Sequence, residues 1–548
     1  VISALLLPKR PIRVRATYSA ITYNLFYGFI EEIVPHPHLT EQDCIITASD
    51  GLDFMTRHDL STVLTKNALT GAIHGLILDD AYGNLLTNGN FEFGDPPTGW
   101  LTPFTGNSGA RNSLAKIGAY AMNCINDGTG GDDRLVRQEN VALVNGKTYT
   151  FGIWIYGVSG YTGMPLLFSD TQVGSFTITT SVYMWHTVTF TWAGASGNKY
   201  MDIGSVIGGA SNVLIDGAIL VEGSRCPLGG LLDAGQDTVP YWYGADVKAR
   251  FAQGEIDNSE QGFSIVDGSG YLRFEDRYHR STATHQTSQG TFSDTMANIS
   301  YSLNPKNVYN IVKVTVTPWT LQAEAELWRL QETPSIPVGE TYTYWGEAAV
   351  AGISVFVDAW VTPVITTDYT ASGTVSIVTT KFAKSIKLAV TNTDTVAVTL
   401  TLLKARGTYY DDQTKVTRKS EDSTSQTAYQ KRTYELDGKY MTDATKAQSF
   451  AQYAIGKFKD PRAELGMSVM NQDAATLTQI LSREISDRIT IVNTKLGLSA
   501  DYFIDYMEHS ISMSGLSHTV KYRLADCINE DFWNLGYSKL GTQTKLGY

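Results

Sequence analysis

Leu85-Leu-Thr-Asn88-Gly-Asn90-Phe91-Glu92-Phe93-Gly94, followed by Gly99-Trp100, opens a stretch that Val213-Leu-Ile215-Asp216-Gly-Ala-Ile219-Leu-Val-Glu222-Gly closes. Between these ends lie strand-like runs at 149–156 and 176–179, and in 187–192 Val188, Phe190 and Trp192 alternate with threonines. Turns rich in Gly, Asn and Asp separate the runs roughly every 8–15 residues, the pattern of a sandwich or jelly roll. Residues 84–224 therefore read as a separate β module.

On its N-terminal side, Ile12, Val14, Ala16 and Tyr18 alternate with Arg13, Arg15 and Thr17, the period of a half-buried strand. Strand-like runs follow at 23–33 and 44–48, then a helix start capped by Asp50. Residues 1–83 and 225–322 are expected to form one mixed β domain around the module. The latter carries a helix over 245–256 and a hairpin through Asp267-Gly-Ser-Gly270. Residues 323–410 are Thr/Val-rich and read as a small β-sandwich, and the charged stretch 411–433 as an exposed linker. In 434–530, Ala447, Phe450, Ala451, Ala454 and Phe458 fall on one helical stripe that Asp460-Pro461 ends. Strands follow at 465–470, 488–492, 502–513 and 518–524, and 531–548 reads as a tail. The expected class is mainly β (α+β), with short helices.

Composition agrees. Charged residues are 18% of the 548, below the roughly 25% of ordinary domains, while Tyr (30) and Gly (49) are abundant. The net charge of -12 and the lack of a Lys/Arg run disfavour tight nucleic-acid binding. Cys44, Cys124, Cys226 and Cys527 are scattered, which suits assembly in a reducing cytoplasm better than a disulfide framework or a zinc site. No apolar run approaches the roughly 18 residues of a membrane span, and Leu5-Leu6-Leu7 is too short for a signal segment.

The chain has no G-x-S-x-G, P-loop, G-x-G-x-x-G or H-E-x-x-H pattern. His36-Pro37-His38 reads as a turn before a metal pair. Glu31 and Glu32 would face opposite sides of a strand, so they do not make a catalytic pair. The acidic loop Asp127–Asp133 is a solvated turn or a Ca²⁺ loop. Exposed aromatic rings suit sugar stacking, and Trp154, Tyr156, Tyr161 and Tyr183 are the candidates; Trp100, Trp185 and Trp192 are expected in the core.

The two ends of the module resemble those of jelly-roll carbohydrate-binding modules of the galactose-binding-like kind. The resemblance implies adjacent first and last strands, with Glu92 and Asp216 as candidate ligands of a structural Ca²⁺. Three further stretches resemble the hub proteins of siphophage tail tips and contractile-tail baseplates. They are Pro11-Ile-Arg-Val-Arg through Tyr23–Glu31 to Asp50-Gly-Leu, Ala252-Gln-Gly-Glu255 through Asp267–Phe274 to Arg277, and the helix to Asp460-Pro461 followed by Glu484-Ile485 through Tyr502-Phe-Ile504 to His518–Leu524.

That resemblance implies a homotrimer at the virion tail tip, assembled in the host cytoplasm. Each subunit would give two tail-tube-like β-barrel domains that close the tube, contacting tail-tube, distal-tail and tip or fibre proteins, with DNA only in passage. The module would then touch a host-surface glycan, without catalysis. Two competing readings stay open: a secreted or surface lectin, and, behind it, a polysaccharide or cell-wall hydrolase.

Overall fold

The structure, a computed structural model, describes residues 7–527 apart from 38–41, 130–133, 160–162, 205–209, 224–229, 236, 295, 413, 439, 442 and 513–516. The chain is mainly β. Its module consists of two five-stranded antiparallel sheets. One runs, in spatial order, Tyr183–Thr191, Thr148–Ser159, Ser211–Glu222, Ala121–Asn126 and Asn107–Asn112. The other runs Thr171–Phe176, Met164–Phe168, Gly197–Gly204, Arg134–Leu143 and Trp100–Leu101.

Alternation decides what lies between the sheets. From Thr148–Ser159, Tyr149, Phe151, Ile153 and Ile155 point inward, meeting Leu166 and Phe168, Met201 and Ile203, and Val213 and Ile215 in one core. Trp100 and Trp192 belong to this core as expected, whereas Trp185 does not.

The opening motif is a staple. Asn88 Nδ2 donates to the carbonyls of Phe93 (2.9 Å) and Thr98 (3.1 Å), and Trp100 Nε1 to those of Thr87 and Asn88 (both 3.1 Å). The Leu85 amide bonds to Leu220 O at 2.8 Å, so the module leaves and re-enters its host at one place.

The host body is built from residues on both sides of the module. Strand Gly230–Leu232 pairs in parallel with Leu272–Glu275, which pairs antiparallel with Phe263–Val266 in the expected hairpin. Three helices pack with them: Leu52–Arg57, Thr70–Tyr82 and Ala249–Glu260. The first of these helices starts from Gly51 and not from the expected Asp50; Asp50 lies one residue earlier, and its Oδ1 accepts the Leu52 amide at 3.0 Å. The third helix starts later than the sequence suggests, because Ala245–Lys248 pairs instead with Asp59–Ser61. Its buried stripe is Ala249, Ala252, Gln253, Ile256 and Glu260, while Phe251 faces out.

Helix Thr70–Tyr82 is legible in no periodicity, since Ala72, Ile73, His74, Ile77 and Leu78 bury nearly all round it. It ends at Gly83 in the left-handed region, φ 66°.

Pro11–Tyr18, Ile21–Pro37 and Gln42–Ser49 form a separate three-stranded antiparallel sheet. Past the body the chain builds a six-stranded sheet ordered Thr291–Phe292, Arg488–Asn493, Leu498–Ser512, Ser517–Asp526, Ala463–Met470 and Asn298–Leu303. Its core holds Leu465, Ile489, Ile491, Tyr502, Ile504, Val520 and Leu524. The helix Ala444–Phe458 buries the expected Ala447, Phe450, Ala451 and Ala454 against Val312, Val314 and Val316.

Between these elements, Trp319–Asp412 makes the expected sandwich, with Leu327, Val357, Ile386, Leu388, Leu400 and Leu403 in its core. It docks on the body through Trp319, which stacks on Phe356 of the sandwich (4.8 Å) and on Tyr241 of the body (5.6 Å).

The expected linker at 411–433 is ordered secondary structure. Val416–Glu421 pairs with Ile311–Val316, and Ser423–Tyr429 is a helix capped by Asp422. Its charges lie on exposed faces of these elements, so a polar composition hid the pairing. Among the described residues no helix is long and apolar enough to cross a membrane.

Candidate functional site

The module carries three sets of side chains with chemistry, and the first is at its seam. Glu92 and Asp216 are brought to one loop, residues 116–120. Glu92 Oε1 accepts the amides of Ala119 (2.8 Å) and Tyr120 (3.0 Å). Asp216 Oδ2 accepts those of Lys116 and Ile117 (both 2.8 Å), and its Oδ1 that of Gly217. Gly118, at φ 65°, lets the loop pass, because a Cβ there would stand 2.2 Å from Glu92 Oε1.

Burial pushes Glu92 up to about 7, against the pull of the two amides. Asp216 is raised well above the carboxylate range, by burial first and by the charge of Glu92 in addition. Two buried carboxylates that repel each other fit a hard cation by charge and donor type. The loop amides already take part of their lone-pair capacity.

The second set is the outer face of the sheet containing Thr148–Ser159. Trp154 pairs with Trp185 and Tyr156 with Tyr183 across neighbouring strands, so these four rings share one side. That side is covered. Trp154 is 6% exposed, its ring centroid 5.4 Å from Trp185 and 5.3 Å from Tyr271 of the body hairpin, with Lys116 Nζ 5.0 Å above it. Ile117 and Trp154 merge with the body core of Ile73, Ile77, Trp242 and Phe274, and Phe93, Tyr183 and Trp185 pack against it.

The exposure expected of Trp154 is therefore absent, because the body occupies its face, and Trp185 joins it there. Tyr156 and Tyr183 are half-buried, their rings 5.2 Å apart, and Tyr183 Oη donates to Leu114 O at 2.8 Å. Burial pushes the Tyr183 phenol up. Tyr161 lies outside the described residues.

The third set is on the outer face of the other sheet, which sequence reasoning passed over. Leu101, Arg137, Asp202 and Leu167 stand in one row across four strands. Asp202 is fully buried, and Arg137 grips it with two bonds, Nε to Oδ1 at 2.7 Å and Nη2 to Oδ2 at 2.9 Å. Arg134 adds a third, Nη1 to Oδ2 at 3.0 Å.

Tyr200 covers the Arg137 guanidinium, 3.9 Å from ring centroid to Cζ, and Phe104 covers both arginines at 4.6 and 5.1 Å. Tyr200 Oη donates to Asp170, which also pairs with Arg134. The hydrogen bond from Tyr200 holds the Asp170 carboxyl below its usual range. Half-exposed rings and locked polar groups thus share one open surface. The only signal in the sequence was the alternation of Tyr200 with Asp202 and the spacing of Arg134 and Arg137.

The other motifs have plain surroundings. Glu31 is paired with Lys9, Arg57 and Ser49, and the Lys9 ammonium foremost lowers it to about 2; Glu32 faces solvent. His36 Nδ1 lies 2.9 Å from Asp43, and His38 is outside the described residues. Asp127 accepts the Thr129 amide and hydroxyl, a self-capped turn, while 130–133 are outside the described residues.

No protein-family profile matches the chain. No curated protein matches it either. Among solved structures, a family 16 carbohydrate-binding module is similar at 24% identity and a TM-score of 0.21, over 25% of this chain and 100% of its own. The CBM22-1 xylan-binding domain from Paenibacillus barcinonensis Xyn10C is similar at 15% and 0.21, over 26% of this chain and 96% of its own. A CBM4 structure is similar at 19% and 0.19, over 23% and 96%.

Proposed function

We propose that this chain is a non-catalytic binding protein whose jelly-roll module takes up a glycan on its open sheet. The observation that carries this is the row through Arg137 and Asp202, fixed from below by a fully buried carboxylate and from above by Tyr200 and Phe104. Sugars present an apolar face to aromatic rings and hydroxyls to planar, locked donors and acceptors, and a surface held in advance loses little entropy on binding. Arg137 supplies donors and Asp170 acceptors beside the rings. Glu92 and Asp216 would hold a Ca²⁺ that ties the opening loop to the last strand, without touching the sugar.

The test is a glycan array followed by titration of the full chain. Tyr200→Ala should weaken binding by at least about tenfold while the chain stays folded by circular dichroism. Chelation should lower the melting temperature before it lowers affinity. A wild-type chain that binds no glycan, or a Tyr200→Ala chain that binds as well, overturns the reading.

The second reading places the same chain at the end of a phage-type tail, as a trimeric hub carrying the module outward. The three-stranded sheet supports it: Val14 and Ile21 are 41% and 55% exposed on one face of its first two strands, apolar groups that a neighbouring subunit would cover. Native mass spectrometry of the purified chain with tail-tube protein separates the two, since a hub assembles in threes with the tube protein and a free lectin ignores it.

A further inference from the structure

The body and the six-stranded domain meet at a charged seam centred on His279. Its imidazole stands between two carboxylates: Nδ1 is 2.7 Å from Asp233 Oδ2, and Nε2 is 3.6 Å from Glu275 Oε1. Glu275 is 1% exposed. Its other oxygen accepts the Ser486 hydroxyl of the six-stranded domain. Around this bracket, Arg273 joins Glu275 (3.3 Å) to Glu484 (2.7 Å), and Arg280 joins Ser486 (3.2 Å) to Asp505 (2.7 Å). His285 lies tilted against His279, 5.0 Å between ring centroids.

We propose that His279 is a pH-dependent latch between the two domains. Protonated, it donates to Asp233 and faces Glu275 as a cation, which lets a buried carboxylate stay charged and keep the Ser486 hydroxyl. With the proton lost, one of the two carboxylates faces a bare nitrogen lone pair. Glu275 then keeps Arg273 but loses the second cation beside it, and the seam loosens.

Burial by itself would discourage the charge on His279. The Asp233 hydrogen bond and the two carboxylates outweigh burial and the opposing Arg273, so the group is held above its usual value. A folded-state value raised above the unfolded one gives stability that is complete below the unfolded value and is lost as pH rises through the folded one. His285 behaves oppositely: burial first, then His279, pushes it down to about 4, so it stays neutral across this window and does not compete for the bracket.

The experiment is hydrogen exchange on the full chain at about pH 6 and about pH 9, corrected for intrinsic rates. Protection of the amides at 484–488 and 503–505 should fall by about tenfold for each unit by which folding raises the His279 value. The fall should vanish in His279→Gln and shrink in Glu275→Gln, which keeps the volume, and it should persist in His285→Gln. A wild type with equal protection at both values overturns the latch. So does a His279→Gln chain, or a Glu275→Gln chain if the former does not fold, that loses protection as the wild type does.

Discussion

The two sheets of the jelly roll have the same construction and opposite surroundings. Each puts large apolar residues inward and a mixture of aromatic and polar residues outward. On the sheet through Thr148–Ser159 the outward rings are pressed against Tyr271 and the body core. On the sheet through Gly197–Gly204 the outward rings are left half-exposed over Arg137. An aromatic residue on the outer face of a sandwich strand is therefore an anchor or a binding ring according to what lies opposite, and the two sheets of one module supply both cases.

Three substitutions test that contrast. The largest effect is expected from Trp154→Ala, which empties a buried contact between module and body. It should lower the stability of the module by about 3–5 kcal/mol, read in denaturant melts, and leave any glycan affinity of the folded chain intact. A loss below about 1 kcal/mol would mean that the face is not docked in solution.

Asp202→Asn comes next. It leaves two arginines, with side chains 21% and 18% exposed, facing an amide in place of a fully buried carboxylate. The expected loss is about 1–3 kcal/mol, accompanied by loss of glycan binding, because Arg137 is no longer held flat under Tyr200. Retained affinity would separate the row from the site.

Tyr183→Phe removes only the bond to Leu114 O, and about 0.5–1.5 kcal/mol is expected, with no change in affinity. If Tyr183→Phe weakened glycan binding while Tyr200→Ala did not, the assignment of the two faces would be reversed.

Much of the chain was legible before the structure. Four strands of the six-stranded sheet lie close to where alternation puts them, because one face of each is buried and the period is two; Thr291–Phe292 and Asn298–Leu303, read with the body, join the sheet at its two edges. Helix Ala444–Phe458 shows for the corresponding reason, its apolar stripe meeting a single partner. Helix Thr70–Tyr82 escaped detection because burial on all sides erases the stripe. The stretch at 411–433 reads as loop because Lys415, Arg418 and Lys419 outweigh Val416, while its strand is stabilised by pairing with a segment about a hundred residues away.

In the candidate site, the seam carboxylates Glu92 and Asp216 were readable from the motif they sit in. Arg137, Asp202 and Tyr200 were not, since no spacing along the chain shows that two separate strands bring them into one row.

By itself the sequence determined that a β module lies within residues 84–224, that Trp100, Phe190 and Trp192 turn into it, and that a mixed body surrounds it in the chain. These follow from local periodicity and turn chemistry, which a chain carries in its own order. Only the tertiary structure decided which outer face of the module is covered, and hence that Trp154 anchors while Tyr200 lies open. That choice rests on contacts with Tyr271 and Ile73, residues distant in sequence, and a strand's alternation is the same whether its outer side meets protein or water.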